Sequence, residues 1–549
     1  MSRTRSTRII SPFVLACGAA IVLGCTVRAR PVLLADFPLN DGGLFYQMTE
    51  ELQHSSYRIP SYTAYNAAGI PFAYPPLGFY AAGVLADVGS FDLTQVVRLL
   101  PLATTCATLV AFLLLARSLL AERTAVVAAL AAFALMPRSF TWLIMGGGLT
   151  RAFGFLFTIL ALHQAYLLFT RRQLKFAVSA GLFTGLTPLS HLGTAPFLAA
   201  SLGFFFIVYG RHREGVTGAV IIGLVAVVVS APWLVTVARE HGLAPFQAAG
   251  QTGGSIFSSG TARRTALGHL SRFGALSLGE PLFPVLGALA LGGALVSVRN
   301  RAFSIPAWWV LTFIVDVRAG QTYATLPASL LAGIGVNEVL LPLLTRRRNV
   351  SGTEAMESAD ARSHPTPARL APWWHLPRYG LSVAVVGFLI AYCTMGALTR
   401  NADYGTESAY LTSLSRDERD AMRWVARNTP PTSRFFVVPE QAWQADKVAE
   451  WFPVLAGRQS VATVQGREWL NDSGFVRYAD LYKTARACAT RDAHCVEEWS
   501  SASGITYSHV FVPKAPSWPC CRSLSATLRS DPRYRLVLDA PGAEVFERR

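Results

Sequence analysis

The stretch Val216-Thr-Gly-Ala-Val-Ile-Ile-Gly-Leu-Val-Ala-Val-Val-Val-Ser-Ala-Pro-Trp-Leu-Val-Thr-Val237 carries no charged side chain and follows the polar Arg211-His-Arg-Glu214. An uncharged apolar run of this kind fits the roughly 17–25 residues needed to cross the bilayer core. Outward from it, further apolar runs occupy residues 9–27, 95–116, 124–136, 151–170, 176–194, 196–210, 282–298, 303–316, 323–343 and 376–398. The chain reads as a polytopic α-helical membrane protein with about 11 transmembrane helices. Its composition agrees, since 52% hydrophobic against 15% charged residues is too apolar for an ordinary water-soluble domain.

A net charge of +16 raises the question of nucleic acid. The basic residues, however, sit in short clusters between apolar runs: Arg117 and Arg123, Arg171-Arg172 and Lys175, Arg211 and Arg213, Arg299 and Arg301, Arg346 to Arg348. A nucleic-acid binder gathers them on one face. Here a single alternation places every cluster, and the N-terminus, on the cytoplasmic side. The outer face then receives residues 28–93, 137–150, 238–281 and everything after about 399.

The domain reading follows: a transmembrane domain over 1–398 with a long first outer loop at 28–93, and an extracytoplasmic domain over 399–549. Residues 345–373, rich in Ser, Thr, Pro and Arg, read as a cytoplasmic linker. Ile70 to Val88 is apolar, but a span there would invert every later basic loop, so it reads as a membrane-surface or re-entrant helix. Arg3, Arg5 and Arg8 before the first run allow a signal peptide, yet the number of later spans favours an uncleaved first helix. The expected location is the plasma or inner membrane, multi-pass.

After residue 399 the pattern changes. Ser415-Arg-Asp-Glu418 is a capping box before a helix, and Arg434–Val438, Ser460–Val464, Ser508–Val512 and Tyr534–Leu538 read as strands. Helices are expected near 446–456 and 474–489, which makes a small α/β unit. Cys488, Cys495, Cys520 and Cys521 cluster there. Zinc is the alternative to disulfides, but the cluster has no CxxC pair and its outer placement favours bridges.

The first outer loop carries the chemistry-bearing residues. It reads Asp36-Phe-Pro-Leu-Asn-Asp41-Gly-Gly-Leu-Phe-Tyr-Gln-Met-Thr-Glu-Glu51 and later Pro71-Phe-Ala-Tyr-Pro-Pro-Leu-Gly-Phe-Tyr80. An acid heads an aromatic-rich helix, and a Tyr74-Pro-Pro-Leu77 turn follows. An acid before a helix can also be a plain N-cap. Arg138, Arg151 and Arg318 are the outward cations, and His191 in Pro188-Leu-Ser-His-Leu-Gly193 lies near an outer end. Arg318 can equally pair with Asp316 or snorkel to headgroups, and His191 can simply be satisfied by a neighbouring helix. Gly146-Gly-Gly-Leu-Thr-Arg151 opens a span and reads as an anion-facing start or a flexible turn. Glu450-Trp-Phe-Pro453 and Gln465-Gly-Arg-Glu-Trp469 form aromatic and charged clusters that read as a face leaning over the membrane site.

The acid-headed aromatic helix and the Pro-Pro-Leu turn resemble the GT-C superfamily of membrane glycosyltransferases, including protein mannosyltransferases, aminoarabinose transferases and oligosaccharyltransferases. The resemblance implies transfer of a sugar, of the hexosyl type, from a polyprenyl-phosphate donor to a hydroxyl on a glycan, lipid or protein acceptor. It implies Asp41 as general base with Asp36 as fallback, and Arg318, Arg151, Arg138, His191 and Tyr74 around the substrates. Tyr74 stands where these families often have His, and the second outer loop lacks an acidic pair, so the expectation is no metal cofactor. A transporter or flippase of lipid-linked sugars is the rival class; it predicts inverted repeats, which the sequence does not show.

Overall fold

The computed structural model describes residues 11–251, 284–315, 320–345, 378–400, 411–470, 474–514 and 520–549. Six described helices are long and apolar enough to cross a membrane: Pro12–Leu34 (α1), Leu93–Leu119, Gly148–Arg171, Leu192–Tyr209, Arg213–His241 and Gln321–Thr345. Shorter apolar helices cover Leu77–Gly89, Arg123–Leu135, Val285–Arg299, Ser304–Val315 and Gly380–Tyr392. On Arg213–His241, Val220, Leu224, Val227 and Val228 are 57–72% exposed. They follow helical spacing, so they form one apolar stripe that lipid can cover and water would penalise.

Arg123–Leu135 is short because it is interior. Every residue from Ala125 to Leu135 is buried, and its small side chains let the neighbouring helices approach closely. The first helix differs from the sequence reading, since it runs to Leu34 rather than ending near 27. Arg28 is taken inside it. The guanidinium donates to the carbonyl oxygens of Gly24 and Ala134 and to Ser139 Oγ, and lies 4.5 Å over the Phe140 ring. A buried cation can stay in a span when such acceptors and a ring face satisfy it.

The segment expected as the first outer loop is an ordered layer. Gly43–His54 (α2), the two-stranded ribbon Tyr62–Thr63 (β1) with Ile70–Pro71 (β2), and Leu77–Gly89 (α3) pack around Leu44, Met48, Leu52, Phe72 and Phe79. The apolar stretch expected as one surface or re-entrant helix over 70–88 thus begins as a strand. Its Tyr74-Pro-Pro turn breaks it before the helix, because proline cannot continue either ladder.

The C-terminal domain holds a five-stranded mixed sheet. Arg434–Val437 (β3), Gln459–Ser460 (β4), His509–Pro513 (β5), Tyr534–Asp539 (β6) and Ala543–Arg548 (β7) lie in the order β4-β3-β5-β7-β6. The β3 pairings to β4 and β5 are parallel, and those of β7 to β5 and β6 antiparallel. Phe435, Val437 and Phe511 face helices Arg416–Asn428 and Lys447–Ala456; Phe436, Val438 and Val510 face the helices after 474. Alternation along the central strands β3 and β5 buries both of their faces, and they are the most apolar, whereas the edge strand β6 is largely part-exposed and carries Arg535 and Asp539. The strand expected over 460–464 shrinks to Gln459–Ser460, and Ala543–Arg548 is an additional one. Disulfides join Cys488 to Cys495 and Cys520 to Cys521.

Candidate functional site

The site forms where three segments distant in sequence meet. Asp41 precedes α2, but Gly42 holds the N-cap position with φ 120° and no side-chain cap bond is made. The alternative reading of Asp41 as an N-cap is therefore not what its carboxylate does. Oδ1 accepts the Gly147 N–H at 2.8 Å, and Oδ2 accepts Arg151 Nη2 at 2.6 Å. Both donors come from the start of helix Gly148–Arg171, where free N–H groups and the helix dipole favour an anion. Glycines make the approach possible: a Cβ on Gly146 would lie 2.0 Å from the Asp41 carbonyl oxygen.

Arg151 is itself held. Its Nε donates to the Trp142 carbonyl at 3.0 Å and its guanidinium lies 5.8 Å over the Trp142 ring. Those bonds use two of the five N–H donors of the guanidinium, leaving the rest for another anion. Its side chain is 24% exposed and that of Asp41 is 15% exposed, so the pair is shielded but still reached by solvent.

The C-terminal domain supplies two further carboxylates. Glu450 Oε1 accepts the Gly42 N–H at 2.8 Å, and the residue is buried. Burial first, then the nearby Asp41, push its carboxyl up to about 8. Glu468 Oε1 accepts the Tyr74 hydroxyl at 2.8 Å, while the Tyr74 ring lies 4.8 Å from Trp469. Burial, then Glu468, raise the Tyr74 phenol well above its usual range, so Tyr74 acts there as a hydroxyl donor.

Asp36, His191 and Arg138 are described with partners or surroundings of their own. Asp36 forms a bidentate pair with Arg419, the bonds being 2.8 and 2.5 Å, which ties the loop to helix Arg416–Asn428. His191 Nδ1 shares a hydrogen bond with Thr194 Oγ1 at 2.8 Å, and that oxygen continues to Tyr323 at 3.1 Å. Arg138 is half-buried in the turn Pro137–Ser139. Arg318 lies outside the described residues. Glu450 and Glu468 were visible in sequence only as acids amid aromatics, since their partners are hundreds of residues away. Among the described residues, no three His, Cys, Asp or Glu side chains converge in a way that could hold a metal ion.

Solved structures similar in fold to this chain are those of GT-C glycosyltransferases. The oligosaccharyltransferase AglB from Archaeoglobus fulgidus, solved with an inhibitory peptide and a dolichol-phosphate, superposes with TM-score 0.56 at 14% identity, over 90% of this chain and 69% of that one. ArnT from Cupriavidus metallidurans bound to undecaprenyl phosphate gives 0.50 at 14%, over 97% of both chains. The mycobacterial arabinofuranosyltransferase AftD gives 0.52 at 14%; 97% of this chain covers only 39% of that larger protein. No protein-family model and no curated sequence matches the chain.

Proposed function

We propose that the protein is a membrane glycosyltransferase that moves a sugar from a polyprenyl-phosphate carrier to an acceptor hydroxyl at the outer face of the plasma or inner membrane. The observation that carries this reading is the Asp41–Arg151 pair at a helix start, beneath the C-terminal domain. Transfer needs a base for the acceptor proton and a cation for the departing phosphate. Asp41 is the base. A carboxylate offers about four lone-pair positions, and the Gly147 and Arg151 bonds occupy two while fixing its orientation.

Arg151 is the phosphate ligand. Its unused N–H donors neutralise the leaving group as the glycosidic bond breaks, and a guanidinium can bind phosphate oxygens through two bonds. Arg138, Arg318, His191 and Tyr74 remain proposed substrate contacts, with Tyr74 acting through Glu468. The fold neighbours solved with dolichol-phosphate and undecaprenyl phosphate support a lipid-linked donor. The positive-inside pattern supports an outer-facing site, and a hexosyl sugar follows from the resemblance alone.

We propose that the reaction needs no metal. Purified protein mixed with a polyprenyl-phosphate sugar and an acceptor should consume the donor, and should do so in EDTA. Donor left intact across sugars would refute the enzyme, and a rate restored only by divalent cation would refute metal independence. Donor moved across a vesicle bilayer without being cleaved would instead make the protein a flippase.

A further inference from the structure

Asp41 lies inside a backbone grip that belongs to the C-terminal domain. Trp451 Nε1 donates to the Asn40 carbonyl at 3.0 Å, and Glu450 Oε1 receives the Gly42 N–H at 2.8 Å. A Cβ on Gly43 would lie 2.8 Å from the Glu450 carbonyl oxygen, which also accepts the Tyr65 hydroxyl at 2.7 Å. On the other side, Asn40 N–H donates to Thr412 at 2.8 Å and its side-chain amide to Gln444 at 3.0 Å. Residues on both flanks of Asp41 are therefore set by one dipeptide and its surroundings in the outer domain.

We propose that Glu450 is a positioning residue for sugar transfer: with Trp451 it clamps the backbone around Asp41, so the transfer site is complete only when the C-terminal domain is docked. The inference rests on the glycosyl-transfer reading above. The groups facing Glu450 are Asp41, Glu468, Arg151 and the Tyr65 hydroxyl. With its carboxyl pushed up to about 8, Glu450 holds a proton at neutral pH and leaves Arg151 to Asp41. Ionised, it becomes a second buried anion beside Asp41, which repels that carboxylate and competes for its cation.

The test uses the full chain in lipid nanodiscs as wild type, E450Q and E450A. It follows the pH dependence of kcat together with hydrogen exchange of peptides covering residues 39–46. Wild-type kcat should fall as pH rises through about 8. E450Q keeps a neutral group and an acceptor for Gly42 but cannot ionise, so its kcat should no longer fall as pH rises through about 8. E450A should exchange faster at residues 40–43 and lose about a hundredfold in kcat with little change in KM, because small misplacements of a reacting group cost that much. Wild-type kcat and exchange in E450A, or an alkaline fall that persists in E450Q, would overturn the clamp. If E450A does not fold, the E450Q pH profile alone decides. A wild type that consumes no donor defeats the transfer reading, and the exchange comparison still decides the clamp.

Discussion

Asp36 and Asp41 stand close together in one loop and meet opposite surroundings. Asp36 is 66% exposed and its two oxygens are spent on Arg419 of the C-terminal domain. Asp41 is 15% exposed, faces Arg151 and a backbone N–H, and sits beneath Glu450. The same side chain is a rim latch in one place and a shielded anion beside a cation in the other. Burial and the identity of the donors, not residue type, separate the two.

The comparison is broken most directly at Asp41. Asp41→Asn keeps an acceptor for Gly147 but removes the proton acceptor, and kcat should drop by about 10²–10⁴. Turnover assays on folded preparations check this. Arg151→Lys retains charge but loses the planar fork, so transfer should fall by roughly tenfold to a hundredfold. A wild-type rate in that variant would return Arg151 to a structural role.

Asp36 and Glu450, which grips the backbone beside Asp41 from the C-terminal domain, should also titrate in opposite senses. The Arg419 bonds hold Asp36 below its ordinary value, so its stabilisation is present above the unfolded carboxyl range and is lost as pH falls. Glu450 is raised to about 8, so the folded state binds a proton the unfolded chain releases. Its contribution is favourable at acid pH and is lost as pH climbs from about 4.5 to about 8, on the order of a few kcal/mol. Thermal unfolding across that window should decline more steeply in wild type than in E450Q. Equal slopes would remove Glu450 from the interface energetics.

The smallest effect belongs to Asp36→Asn. Asp36 is 66% exposed, so solvent screens its pair with the buried Arg419, and Asn keeps an acceptor for that guanidinium; unfolding should shift by about 1 kcal/mol and transfer should stay within about threefold of wild type. A dead but folded Asp36→Asn would reverse the assignment of the two carboxylates.

The apolar runs were legible because bilayer crossing imposes length and charge rules on local sequence, as in Val216 to Val237. Arg28 shows where that reading stops: its partners at Ala134 and Ser139 belong to another helix turn, so sequence places it at a span end and packing draws it inside. Asp41, Arg151 and Tyr74 stood out as polar groups at outer helix ends. That Asp41 bonds Gly147 rather than capping its own helix could not be read, since Gly42 takes the cap position with a backbone few other residues adopt. Glu450 and Glu468 were legible as acids among aromatics but not as neighbours of Gly42 and Tyr74, because the docking of two domains carries no local periodicity.

The central claim concerns the Asp41 carboxylate as base, and the direct measurement separates donor binding from chemistry. Matched, folded wild type and Asp41→Asn are loaded with a polyprenyl-phosphate sugar, Kd is measured, and acceptor then starts a single turnover. The account predicts a Kd within about threefold of wild type and a transfer rate lower by about 10² or more. Transfer by Asp41→Asn at the wild-type rate would contradict it.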